Sequence, residues 1–251
     1  MKNHITENNQ TLRSSGWVLA VLGLGLLLTV ASPAFADNGN MDNSQAFPPQ
    51  SHPYGASYPE WAARYWQWVM SFPAKHNPGD GTAPQESAQS GKVWFLASSP
   101  NHQIVTRQIT VPEGKALFFA ALAVYENNAA CPTPTTNSVE FMLNDLNGLW
   151  DTHASLTSVT IDGVPVAKLD NPQTTPYRLQ TIFNVTVATH DNLFAGDCVL
   201  DGSTVPTVTV GAFLMVKPLS VGNHTIEIRG EAAPFLIKKV TYDITVKEDG
   251  D

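Results

Sequence analysis

Between Ser57 and Pro73 the chain reads Ser-Tyr-Pro-Glu-Trp-Ala-Ala-Arg-Tyr-Trp-Gln-Trp-Val-Met-Ser-Phe-Pro. At about 100° per residue, Trp61, Tyr65, Trp68 and Phe72 align in one seam. Tyr58, Ala62, Trp66, Val69 and Met70 widen that seam, while Glu60, Arg64, Gln67 and Ser71 fall on the opposite, polar stripe. The spacing predicts an amphipathic helix over 58–72. Ser57 and Glu60 stand at capping-box spacing, Pro59 suits a first turn, and Pro73 ends the segment. A seam this aromatic reads first as a core helix laid on a sheet. Its second reading is a stacking platform, because Trp66 lies at the edge of the apolar arc while Trp61 and Tyr65 lie nearer its middle. On that reading Trp66→Ala costs much less stability than Trp61→Ala, and Gln67→Ala costs almost none.

Beyond the helix the period changes from 3.6 to 2. Residues 75–91 are turn chemistry throughout, a long loop of the kind that often carries function. Val93-Trp94-Phe95-Leu96 is a short buried strand. Over 104–111 Val105, Ile109 and Val111 share a face with Arg107, opposite Thr106, Gln108 and Thr110. A turn at Pro112-Glu113-Gly114 leads into a continuously apolar strand over 115–125, the pattern of a central strand. Asn137 and Glu140 repeat the cap spacing ahead of a second helix over 138–151. Asp162-Gly163 inside 159–166 is a hairpin signal. Further strands are predicted over 177–187, 208–217, 224–229 and 235–247. About nine strands with two helices predict a mostly β fold, an antiparallel, jelly-roll-like β-sandwich forming a single domain over 57–247, with a short tail at 248–251.

The N-terminal stretch alters the compartment rather than the fold. Lys2 and Arg13 precede an apolar run from Trp17 to Val30, and Ala34-Phe35-Ala36 follows as a small-residue cleavage pattern. This is a secretory leader over 1–36, with the mature chain starting at Asp37 in the periplasm or outside the cell. Residues 37–56 are polar and Pro-rich, and are expected to form a disordered arm. The formal net charge is −8, and losing Lys2, Arg13 and Glu7 with the leader makes the remainder more acidic still. A basic nucleic-acid face is therefore not expected, and no later stretch is apolar for long enough to cross a membrane as a helix. Cys131 and Cys198 are the two cysteines, most simply read as one disulfide in an oxidising compartment, with two free thiols as the alternative.

Several segments together resemble a family of secreted bacterial proteins with no assigned activity. They are Tyr54-Gly55-x-Ser57-Tyr58-x-x-Trp61, Trp66-Gln67-Trp68, Val93-Trp94-Phe95-Leu96, Val111-Pro112-x-Gly114-Lys115-Ala116-x-Phe118-Phe119 and Lys217-Pro218-Leu219-x-x-Gly222-x-His224-Thr225-Ile226. The resemblance implies export and a bacterial source, but no mechanism. Relatives often place a Cys before Thr110-Val111-Pro112, where this chain has Ile109.

No nucleophile elbow, metalloprotease helix, phosphate loop or dinucleotide fingerprint occurs in the sequence. Asp151 with His153, and His190 with Asp191, supply two metal ligands each, fewer than a site needs. Asp191, Asn192, Asp197 and Asp201 crowd one loop without the spacing of an EF-hand. No cofactor is expected. Three functions remain open. The first is a non-catalytic binding protein taking a glycan or other small ligand against Trp66, Trp68 and Arg64. The second is a structural or protein-interaction domain of the cell envelope. The third is a hydrolase using Glu126 and His224, each at the end of an apolar strand.

Overall fold

The computed structural model describes residues 45–99, 104–127, 137–194, 199–233 and 236–248, the side chains of 236–238 excepted. The predicted leader and both cysteines lie outside the described residues. The first helix, α1 (Tyr58–Met70), starts where the sequence places it and stops two residues short of the prediction. Its capping box is complete: the Ser57 N–H donates to Glu60 Oε2 at 2.7 Å and the Glu60 N–H to Ser57 Oγ at 3.4 Å. Those bonds to Ser57 hold the Glu60 carboxyl below its usual range. The second helix, α2 (Val139–His153), is capped by Ser138 rather than Asn137, the Ser138 hydroxyl accepting from the Phe141 N–H at 3.1 Å.

Nine strands lie among the described residues: β1 (Val93–Phe95), β2 (Ile104–Pro112), β3 (Ala116–Asn127), β4 (Ala154–Ile161), β5 (Val164–Pro165), β6 (Arg178–Thr186), β7 (Thr204–Val216), β8 (Gly222–Ala232) and β9 (Leu236–Lys247). They form a four-stranded sheet in the order β1-β3-β7-β6 and a five-stranded sheet in the order β2-β9-β8-β4-β5. The fold is mostly β with two helices, but neither sheet is purely antiparallel. β1 pairs parallel with β3, and β2 pairs parallel with β9 from Ile104↔Lys239 to Pro112↔Lys247. Consecutive strands lie in different sheets here, so neighbours in space arrive by crossover rather than by hairpin. The Asp162-Gly163 hairpin does form between β4 and β5, with φ of 51° and 78° at the two turn residues, the left-handed pair that this turn requires.

The core lies about β3 and β7. Residues 207–216 of β7 are buried without a break, as in a strand covered on both faces. α1 rests against β6 and β3, α2 against β7 and β3, and the five-stranded sheet meets β3 through β8 and β4. The sheets come so close that a Cβ on Gly230 would lie 2.7 Å from the Ala121 carbonyl oxygen.

Residues 45–56, expected within a disordered arm, are pinned to this core. Ala46 bridges Val216, the Phe47 N–H donates to the Met215 carbonyl at 2.8 Å, and the Tyr58 hydroxyl donates to the Phe47 carbonyl at 2.7 Å.

Candidate functional site

The aromatic helix closes on itself. Tyr65 is fully buried and holds ring contacts with Trp66, Trp68, Phe95, Phe118 and Phe213 at centroid distances of 5.3 to 6.3 Å. Burial pushes its hydroxyl up to about 12. Trp66 is 8% exposed, the same as Trp61, and Trp68 is 6% exposed. The Trp66 indole N–H donates to Thr209 Oγ1 at 3.1 Å while its ring packs on Tyr125 at 4.7 Å. The Trp68 indole N–H donates to the Ser87 carbonyl at 3.0 Å. Arg64 is exposed and lies over the Trp61 ring at 4.5 Å. Trp66 is thus packed as deeply as Trp61, because β7 and Tyr125 of β3 close over the edge of the arc, which helical periodicity alone leaves open.

Glu126 and His224 stand on different sheets, and among the described residues no hydrogen bond or ion pair joins them. Glu126, near the end of β3, has its carboxyl pushed up by burial and by the Asp145 charge on α2, against a hydrogen bond from Asn137. Its Oε2 is buried without a partner among the described residues. His224, at the start of β8, is clamped by its neighbours. Nδ1 lies 2.8 Å from Asp162 Oδ2 and Nε2 lies 2.9 Å from the Ser220 carbonyl oxygen. The ring is thus held between a carboxylate and a main-chain carbonyl, both of which can accept from it. Burial pulls its pKa down, but the bonds to Asp162 and Ser220 and the Asp162 charge outweigh it and hold His224 above its ordinary value. Ser220 Oγ is 3.3 Å from Nε2, which gives the outline of a Ser-His-Asp chain. Nε2 lies closer to the Ser220 carbonyl oxygen than to its hydroxyl, so the ring is fastened to the main chain between β7 and β8 more tightly than to that Oγ.

Beside that clamp, a groove of about 550 Å³ runs across three strands of the five-stranded sheet. Alternate residues point out of a strand, so its floor is set by register. Gln108 of β2, Asp243 of β9 and Thr225 of β8 form one row, and Thr110, Thr245 and Asn223 form the next. Glu86, from the loop before β1, accepts from the Thr110 N–H at 3.2 Å and overhangs one end, while His224 borders the other. Thr245 Oγ1 donates to Asn223 Oδ1 at 3.2 Å. The half-buried Asp243 carboxylate has no hydrogen bond or ion pair among the described residues. This groove was missed in the sequence although its signal was visible: Thr-x-Gln-x-Thr and Thr-x-Asp-x-Thr alternate against the buried positions of β2 and β9.

Arg107, which alternation puts on the inner face of β2, also has its reason. Nη1 donates to the Ala97 carbonyl at 2.6 Å and to the Tyr242 hydroxyl at 2.7 Å, and Nη2 donates to the Gly79 carbonyl at 2.6 Å. Tyr242 donates in turn to the Ala97 carbonyl, and the buried Gln85 accepts from the Ala97 N–H at 3.1 Å and donates to the Pro78 carbonyl at 2.5 Å. This polar cluster ties the long 75–91 loop to the sheet and so fixes Glu86 over the groove.

The remaining polar candidates serve the fold. Asp151 pairs with Arg178 at 2.7 Å, and His153 Nδ1 contacts the Ala233 carbonyl at 2.9 Å. Asp201 accepts from the Asn192 main chain and amide, and Asp191 accepts from the Lys75 N–H at 3.2 Å. Asp197 lies outside the described residues. Among the described residues no group of three or more His, Cys, Asp or Glu is placed to hold a metal ion, and no helix is long and apolar enough to cross a membrane.

No protein-family model matches the chain, and no curated protein matches it. Two solved structures match it. The solution structure of amebosin aligns over 59% of this chain and 100% of its own at 11% identity, with a TM-score of 0.18. A chain of the structure of PbICP-C in complex with falcipain-2 aligns over 62% of this chain and 100% of its own at 14% identity, with a TM-score of 0.22. Likenesses this slight carry no argument.

Proposed function

We propose that this is an exported, non-catalytic binding protein that takes a glycan or other small polar ligand in the groove across β2, β9 and β8. The observation that carries this reading is the groove itself. Six hydrogen-bonding side chains stand in two rows on three paired strands, a rigid platform within the usual volume of a small-molecule site. A site built on Trp66 and Trp68 would need a ring face open to solvent, and both are buried, so the ligand is assigned to the sheet instead. Export rests on the leader pattern and on the family resemblance.

The test is a titration of the protein against oligosaccharides, with Thr245→Arg as the blocking variant. The long side chain would stand in the middle of the second row, where it would abolish binding and leave the thermal melt unchanged. Binding that survives Thr245→Arg would place the ligand elsewhere.

One observation favours a hydrolytic reading. Glu126 has a raised carboxyl and an oxygen without a partner, as a general acid requires. Loss of a glycosidase or esterase activity in Glu126→Gln, with folding intact, would move the assignment there.

A further inference from the structure

We infer that the groove reads its ligand through the Asp243 carboxylate, and so selects neutral and amino-bearing saccharides over acidic ones. The inference rests on the groove being the ligand site, and goes on to name the ligand's chemistry.

Nearby carboxylates on the same sheet and its overhanging loop are already engaged. Asp162 holds His224 and the Thr225 N–H, the latter at 2.8 Å. Glu86 caps the Thr110 N–H, and Glu227 lies 3.4 Å from Lys239 Nζ. Asp243 alone among these has no partner, although it is half-buried at the centre of the first row, one strand in from the edge. An ionised carboxylate only accepts hydrogen bonds, and it accepts them most strongly from two donors at once. Vicinal hydroxyls of a sugar ring, or a hydroxyl beside an ammonium, present such a pair. Gln108 on one side and Thr225 on the other, each a strand spacing away, can both donate and accept, and so can serve the neighbouring hydroxyls.

The same geometry disfavours acidic sugars. The one basic residue lining the groove among the described residues is His224, and its two ring nitrogens are taken up by Asp162 and the Ser220 carbonyl. A uronate would meet Asp243 and Glu86 with no free positive charge to offset them. Among the described residues no Phe, Tyr or Trp lines the groove, so recognition falls to hydrogen bonds at the ring's edge rather than to stacking on its face.

The test compares three probes on the whole protein by calorimetric titration: cellotetraose, a chitosan tetramer and a tetragalacturonate. The expected order has tetragalacturonate at least tenfold weaker than the other two. Asp243→Asn should weaken the chitosan tetramer at least tenfold and narrow its lead over tetragalacturonate. Raising the salt should weaken chitosan binding in the unsubstituted protein, which reads the same charge without any variant. Equal or tighter binding of tetragalacturonate would overturn the inference. So would unchanged affinities in Asp243→Asn where Thr245→Arg abolishes binding. If no probe binds, or Thr245→Arg leaves binding intact, the groove fails as the site and this inference falls with it.

Discussion

The Gln67 amide stands in for a strand beside Thr186. Its Nε2 donates to the Thr186 carbonyl at 2.8 Å while its Oε1 accepts from the Thr186 N–H at 2.9 Å. Thr186 ends β6, the edge strand of the four-stranded sheet, so these groups have no further strand to pair with. A residue on the polar stripe of α1 thus fastens the helix to the edge it covers. Gln67→Ala should cost about 1 kcal/mol rather than nothing, since water can replace these exposed bonds only in part. Urea melts would show it, and Gln67→Glu, which keeps the acceptor but loses the donor, should be no better.

Trp66→Ala should cost about 3–5 kcal/mol, as much as Trp61→Ala, the range for deleting a large buried aromatic. Trp66→Phe should cost about 1–2 kcal/mol, since Thr209 loses the indole donor but keeps its own bond to the Val124 carbonyl at 2.7 Å. A melt of Trp66→Ala close to that of the unsubstituted protein would show that this ring is not packed as described.

Arg107→Met removes the donor that the Gly79 carbonyl uses and two hydrogen bonds to the Ala97–Tyr242 cluster. The expected cost is about 2–3 kcal/mol, because the Gly79 carbonyl loses its donor in a partly buried site while the Ala97 carbonyl keeps only the Tyr242 hydroxyl. The 75–91 loop should become the first point of proteolytic cleavage. Ligand affinity should also fall, since Glu86 is carried by that loop.

The His224–Asp162 clamp sets a pH window. His224 is raised above its ordinary 6.5, so its contribution to stability is full below that value and is lost as pH rises through the folded value. Burial pushes Asp162 up, but the bonds from His224 and Thr225 and the His224 charge outweigh it and hold Asp162 below 3.8. Its contribution is therefore present above 3.8 and is lost as pH falls through the folded value. Stability from the pair should be greatest between the two. With Asp162 40% exposed, the effect is about 0.5–1 kcal/mol. Asp162→Asn should flatten the alkaline side of a pH series of thermal melts. An unchanged profile would remove His224 from the account.

What the sequence disclosed follows the range of its signals. Capping boxes, periodicity and the Asp162-Gly163 turn act within a few residues, and α1, the hairpin and most strand cores fall where those signals put them. β4 begins at Ala154, earlier than predicted, because Ala-Ser-Leu-Thr-Ser carries no clean alternation. The parallel pairings were not legible, since nothing in β1 or β2 encodes a partner two elements or most of a domain away. The groove was missed for the same reason. Gln108, Asp243 and Thr225 become one row only through that long-range register, while the aromatic density of α1 drew attention to a surface that the fold consumes.

The pairing of β2 with β9 also bears on how the chain is made. β2 leaves the ribosome early and β9 long after it. Until β9 has emerged, β2 has no neighbour in its sheet, and the rows that line the groove do not exist. The β8–β9 hairpin can close on its own, but the protein's outer sheet is completed only by a late return to an early segment. Pairings of such long sequence separation make for slow folding, with an unsatisfied strand edge exposed in the meantime. A refolding phase slowed by Ile109→Ala but not by Val166→Ala would mark the docking of β2 as that late step.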